Sequence, residues 1–304
     1  MTESSESRTP MLAMLFFMVV VQLLALAFMP SFEISNTRVF ENPSSAANPF
    51  IYVILIIVFT LLLLIAMKFK RGWVIGGFIL ISVATSIFYI LTAFLPLVIS
   101  LVLTIVMLLL LRFYPEWYII DIIGVFICAG IASLFGISMT TLPAVILLII
   151  LAVYDAISVY KTRHMVTLAE GVINIKAPLL FVVPKTKGYS FREDQVSISG
   201  QSSEKAKGAY FLGLGDAIMP TILVISANWS LHAASIYGVN IPAIGTMIGT
   251  YIGFLALMTT SRDKPQAGLP FLDSGAILGF LAGCILAGVM PFPILAPFYF
   301  LMPP

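Results

Sequence analysis

Apolar runs long enough to cross a lipid bilayer recur along most of the chain, and that property leaves few folds open. A bilayer core of about 30 Å takes roughly 20 apolar residues in a helix. Nine runs approach or reach that length, at about 11–29, 50–67, 72–93, 95–112, 118–135, 141–160, 208–227, 234–258 and 274–291. Inside lipid no water satisfies the backbone N–H and C=O groups, so a spanning segment must satisfy them internally, as a helix does. The expected fold is an all-α polytopic membrane protein of nine transmembrane helices. Composition agrees, with 60% hydrophobic and 10% charged residues, where soluble domains carry about 25% charged.

The basic residues assign sides to these spans. Arg8, then Lys68, Lys70 and Arg71, then Arg112, then eight residues within 161–207, then Arg262 and Lys264 all fall on one side, and Arg38 alone falls on the other. Positive residues favour the cytoplasm, short loops counting for more than long ones. The N-terminus and the 161–207 loop are therefore expected in the cytoplasm and the C-terminus outside. The first apolar run continues to about Met29 with no small-residue cleavage site, which reads as a retained span rather than a signal peptide. Two parts are expected: residues 1–140 as a bundle of five helices, and residues 141–304 as a bundle of four that includes the 161–207 loop. That loop is not uniformly polar. Gly171 to Lys176 alternates, and Leu179 to Val183 is a β-prone run closed by Pro184, so a short β element is expected between the sixth and seventh spans. Lys185 to Lys207 has the composition of a flexible segment.

Of fourteen acidic residues, only Asp155 and Asp216 lie well inside spans. An ionisable group near a bilayer centre costs roughly 2.5–3.5 kcal/mol on insertion scales and usually marks a function. Asp121 and Asp273 lie close to span starts and read as interfacial, Asp273 as a helix N-cap. Asp155 stands six residues before Lys161 and Asp216 nine residues after Lys207. As helices, these separations give depths of about 9 Å and about 14 Å from the same boundary, so neighbouring antiparallel helices can bring the two carboxyls face to face. No basic residue lies inside a span to pair with them. They must share a proton, contact water or take up a cation. A carboxyl pair sharing one proton is the arrangement of the aspartic proteases: the ionised member activates water and the protonated member polarises the scissile carbonyl.

Two further stretches bear on this pair. Gly213 and Gly215, in Gly213-Leu214-Gly215-Asp216, remove side chains beside the acid and allow a substrate backbone or a partner helix to approach; packing of helices alone is the competing explanation. Pro265 and Pro270 bracket Gln266-Ala267-Gly268-Leu269, a stretch expected to be non-helical with backbone groups free to bond a partner. Such backbone at a membrane is tolerated where it is buried in protein or faces water. An ordinary interfacial turn would explain the same residues.

Tyr154-Asp155 in the sixth span, Gly213-Leu214-Gly215-Asp216 in the seventh and Ala267-Gly268-Leu269-Pro270 before the ninth resemble, in order and spacing, the three signatures of the presenilin and signal peptide peptidase family of intramembrane aspartyl proteases. The family pattern is Tyr-Asp, Gly-x-Gly-Asp and Pro-Ala-Leu. The third departs here, with Ala267 and Gly268 where proline and alanine are expected. His164 to Thr167, Ala177-Pro178-Leu179 and Gly215 to Pro220 are similar to signal peptide peptidases, while the charge-derived orientation is similar to presenilins. The resemblance implies an aspartic endopeptidase in which Asp155 and Asp216 form the catalytic dyad. It also implies that Tyr154, Gly213, Leu214, Gly215, Ala267, Gly268, Leu269 and Pro270 shape the site and hold substrate, and that the substrate is a transmembrane helix of a membrane protein or signal-peptide remnant. A helix hides its amides, so cleavage needs local unwinding, and an extended substrate could pair with a strand edge in 171–183 or with backbone near Leu269.

The alternative from another class is a proton- or cation-coupled transporter, since intramembrane carboxyls also serve as relays; the absence of an inverted repeat and the placing of both acids in one consecutive pair of spans weigh against it. A scaffold that keeps the acids only for packing is the third reading. No cofactor or metal is called for: Cys128 and Cys284 lie singly in apolar runs, His164 and His232 stand alone, and no phosphate or dinucleotide loop is present. The lipid bilayer is the surrounding partner, no nucleic-acid partner is implied, a homo-oligomer stays open, and nothing in the sequence calls for an accessory subunit.

Overall fold

The computed structural model describes residues 8–35, 37–68, 72–162, 180–184, 209–260 and 267–292. Among these residues nine helices occur: α1 (Arg8–Ile34), α2 (Asn48–Lys68), α3 (Gly72–Thr92), α4 (Leu97–Phe113), α5 (Trp117–Ile137), α6 (Thr141–Ile157), α7 (Leu214–Ser230), α8 (Ile241–Thr260) and α9 (Leu269–Ala287). Five of them (α1, α5, α6 with the turn that follows it, α8 and α9) are long and apolar enough to cross a bilayer, and α2, α3 and α4 contribute shorter apolar segments. The chain is a multi-pass membrane protein.

Burial separates the helices into two groups. On α4 only Ser100 and Thr104 are buried, and Leu97, Val98, Leu101, Val102 and Leu109 are exposed, as a helix facing lipid tails requires. α7 is the opposite case. Every residue from Ala217 to Ala227 is buried, and the helix is packed by α1, α5, α6, α8 and α9. A helix apolar all round belongs at the centre of a bundle. Its hydroxyls are satisfied locally or by a neighbour: Thr221 Oγ1 donates to the Ala217 carbonyl at 2.6 Å and Ser226 Oγ to the Met139 carbonyl at 2.8 Å.

α8 and α9 are held together by glycine. Gly245, Gly249 and Gly253 face Gly275, Gly279 and Gly283 so closely that a Cβ on most of them would run into a carbonyl oxygen or Cα of the opposite helix. Small residues let backbones approach in lipid, where apolar area alone drives no association. The entry of α8 is fixed by Asn240, whose Oδ1 accepts the Ala243 N–H at 2.8 Å while its Nδ2 donates to the carbonyls of Ala227 at 2.7 Å and Leu231 at 3.0 Å. One side chain thus caps the start of α8 and the end of α7.

Four span boundaries differ from the sequence expectation. The run expected to be helical from 208 begins as a strand, β2 (Ala209–Gly213), paired antiparallel with β1 (Leu180–Pro184), and α7 starts only at Leu214. A short apolar run does not distinguish a buried strand from a buried helix. The run expected from 234 opens with a small hairpin, β3 (Ser235–Ile236) and β4 (Val239–Asn240), turning at Tyr237 and Gly238, both at positive φ. α6 ends at Ile157 in a π-helical turn, Ser158–Thr162. α9 starts at Leu269 rather than 274, because Pro270 falls in the first turn, where its missing N–H costs nothing. The expected β element is present as β1; Gly171 to Lys176 and Lys185 to Lys207 lie outside the described residues.

Candidate active site

The end of α6, the start of α7 and the start of α9 meet on one side of the bundle, as the alternation of helix directions requires. Asp155 lies two residues before the end of α6 and Asp216 in the first turn of α7. The depth estimated for Asp216 from a continuous helix is therefore replaced: it enters on an extended strand, about 3.3 Å per residue, followed by less than one helical turn. Gly213 closes β2 and is the N-cap of α7. Its N–H bonds the Asp216 carboxyl, and its Cα lies so near that an added Cβ would stand 3.4 Å from Asp216 Oδ2. Pro220, four residues on, has no N–H to give the Asp216 carbonyl, which leaves the first turn of α7 short of one helical bond.

The two acids meet across the start of α9. The Leu269 N–H donates to Asp155 Oδ2 at 3.2 Å, and the Gly268 N–H is also directed at Asp155. A Cβ on Gly268 would stand 3.0 Å from Asp216 Oδ2 and 3.1 Å from its Cγ and Oδ1. One dipeptide therefore touches both carboxyls, and these are close enough to interact electrostatically. Asp155 is buried and Asp216 half-buried. No described Lys, Arg or His forms an ion pair with either.

The remaining residues singled out in the sequence divide around this contact. Tyr154 is half-buried beside Asp155 on α6. Leu214 is buried, with Cδ2 3.2 Å from where a Cβ of Gly124 would stand, and its carbonyl accepts the Cys128 thiol at 3.7 Å. Gly215 faces open space. Ala267 is fully buried, Gly268 is the N-cap of α9, and Leu269 and Pro270 open that helix; Pro265 and Gln266 lie outside the described residues. The backbone expected to be free near Leu269 is engaged, since its N–H is held by Asp155.

Two acids are placed differently from expectation. Asp121 is not solvated: it is 2% exposed on α5, and its Oδ1 accepts the Val182 N–H of β1 at 2.8 Å. That N–H points away from β2, so at Val182 the outer edge of β1 is occupied. Pro184 sits at an alternate position of the same strand, where a missing N–H is harmless. Asp273 is not an N-cap: Gly268 holds that place, and Asp273 is wholly buried one helical turn beyond Leu269. The signal for it was its spacing, since a residue four after Leu269 shares its helix face once the helix is known to begin there.

This is a polytopic helical membrane protein that sets two carboxyls from consecutive helices against one backbone turn. The model of the signal-peptide peptidase and presenilin aspartyl protease family matches residues 15–289, so the chain belongs to that family. It is similar to a presenilin family intramembrane aspartate protease solved in two crystal forms. The C222 form shares 35% identity over 91% of this chain and 98% of that one, with a TM-score of 0.65. The P2 form shares 36% identity over 92% and 99%, with a TM-score of 0.66. No curated protein matches by sequence. The family and these structures make the chain an intramembrane aspartic endopeptidase.

Proposed function

We propose that Asp155 and Asp216 are the catalytic dyad of this protease, and that it hydrolyses peptide bonds within transmembrane helices of membrane proteins or signal-peptide remnants. The observation that carries this reading is the Gly268-Leu269 dipeptide in contact with both carboxyls. The pair holds one proton between its members and acts as a unit. The ionised carboxyl takes a proton from a water molecule as the water oxygen bonds to the scissile carbonyl carbon. The protonated carboxyl hydrogen-bonds the carbonyl oxygen and gives its proton to the amide nitrogen as the C–N bond breaks. The pair is left with one proton again.

Tyr154, Gly213, Leu214, Gly215, Ala267, Gly268, Leu269 and Pro270 shape the site and hold substrate. Gly215, with open space at its Cβ, leaves room for a substrate backbone. The one-sided distribution of Lys and Arg supports a cytoplasmic N-terminus and 161–207 loop with the C-terminus outside. The test is to incubate the purified full chain, in detergent and in liposomes, with a model transmembrane helix and to map product termini by mass spectrometry. Cuts inside the helix are expected. An intact substrate together with proton or cation flux in the liposomes would sink this reading.

Gly268 gives a narrower prediction. In Gly268→Ala the new methyl presses on the Asp216 carboxyl and shifts it by a fraction of an ångström, and misplacement of a reacting group by about 1 Å costs on the order of 100-fold. The expected result is a fall in kcat of roughly tenfold or more with an unchanged melting temperature, measured on the same substrate.

A further inference from the structure

We propose that Asp273 is a positioning residue for the dyad, holding a water molecule beside the turn that meets Asp155 and Asp216; this rests on the dyad reading above. Asp273 is 0% exposed, and neither of its carboxyl oxygens has a hydrogen-bond partner. Leaving a buried polar group unpaired costs about 1–3 kcal/mol, so the side chain lowers the stability of the fold it sits in. It is also not a remote group. It lies one turn past Leu269, on the helix face whose first amide bonds Asp155, and it interacts electrostatically with both Asp216 and Asp155.

The chemistry of its neighbours narrows what it can hold. α9 is packed by α6, α7 and α8, whose described titratable side chains are Tyr154 and Asp155, Asp216, and Tyr251. None is a cation that could pair with it. Among the described residues no three such side chains are grouped as a metal ion would need. Leu269, one turn before Asp273 on the same face, bonds Asp155, and Gly268 abuts Asp216, so the buried carboxyl lies beside the turn that meets both acids. A buried water needs two to four polar partners, which the two oxygens of Asp273 and a dyad carboxyl can supply. Asp273 then acts through that water, restraining the dyad oxygens while the nucleophile attacks.

Two variants of the full chain test this, with kcat, KM and melting temperature measured on a model transmembrane substrate. Asp273→Leu fills the volume and removes the anchor; kcat is expected to fall roughly 10- to 100-fold, with KM within about twofold and the melting temperature unchanged or raised. Asp273→Asn still bonds a water and is expected to restore kcat to within about threefold of the parent. A Leu variant as fast as the parent overturns the proposal. So does an Asn variant as slow as the Leu variant, or a loss of kcat that follows a lowered melting temperature in both. Failure of the parent chain to cleave, or cleavage by Asp155→Asn, counts instead against the dyad. Loss in both dyad variants beside full activity in Asp273→Leu counts only against the role of Asp273.

Discussion

Asp155→Asn and Asp216→Asn, made separately, are each expected to abolish cleavage of a transmembrane substrate, with kcat down by about ten thousand-fold, the upper range for loss of a general acid or base. One acid has to take the proton of the water and the other has to give a proton to the leaving nitrogen, so neither can replace the other. The double variant is therefore expected to lose no more than either single one, as groups acting together do. Asparagine is the informative replacement because it keeps the shape and an acceptor oxygen. Asp155→Asn can still accept the Leu269 N–H that Asp155 Oδ2 holds at 3.2 Å, and substitution at either position removes like charge from a site without a described counter-ion. The melting temperature should stay within a few degrees of the parent. Measurable turnover in either variant, with product termini inside the substrate helix, would remove the dyad from the mechanism.

The second large effect is structural. Gly249→Leu and Gly279→Leu are each expected to separate α8 from α9, lowering the melting temperature steeply and taking activity with it. A Cβ at Gly249 meets the Gly275 carbonyl and the Gly279 Cα, and one at Gly279 meets the Gly245 carbonyl and the Gly249 Cα. These are backbone atoms, so no rotamer change relieves them and the helices must part. Overpacking a core ordinarily costs about 1–3 kcal/mol, and a contact with no flexible partner belongs at or above the top of that range. Gly77→Leu is the control: nothing lies within 4 Å of a Cβ there, and replacing glycine on an exposed helix face is neutral or stabilising by up to about 1 kcal/mol. The comparison is read by thermal unfolding in detergent. A Gly249→Leu protein that melts with the parent would show that the close approach of α8 and α9 contributes little.

The parts of this fold legible in the sequence were those that depend on length and polarity alone. Nine apolar runs correspond to nine described helices, and the two acids that the runs placed well inside spans are the two that meet at the Gly268-Leu269 turn. What was not legible depended on partners distant in the chain. Ala209–Gly213 is as apolar as a helix start and becomes a strand because β1 is there to pair with it. Asp121 and Asp273 stand near span ends and look solvated, yet both are buried, Asp121 with the β1 amide it accepts and Asp273 on the face of α9 that opens with Leu269. The stretch around Leu269 looked unsatisfied because its acceptor, Asp155, comes from a helix more than a hundred residues earlier.

The junction at Gly213 couples two parts of the molecule mechanically. β2 runs directly into the first turn of α7, with no intervening loop to absorb displacement. A displacement of β2 would reach Asp216 within three residues, whereas Asp155 is held separately, by α6 and by the Leu269 N–H at the opening of α9. On the dyad reading, the β1–β2 pair is thereby joined directly to one of the two acids and not to the other.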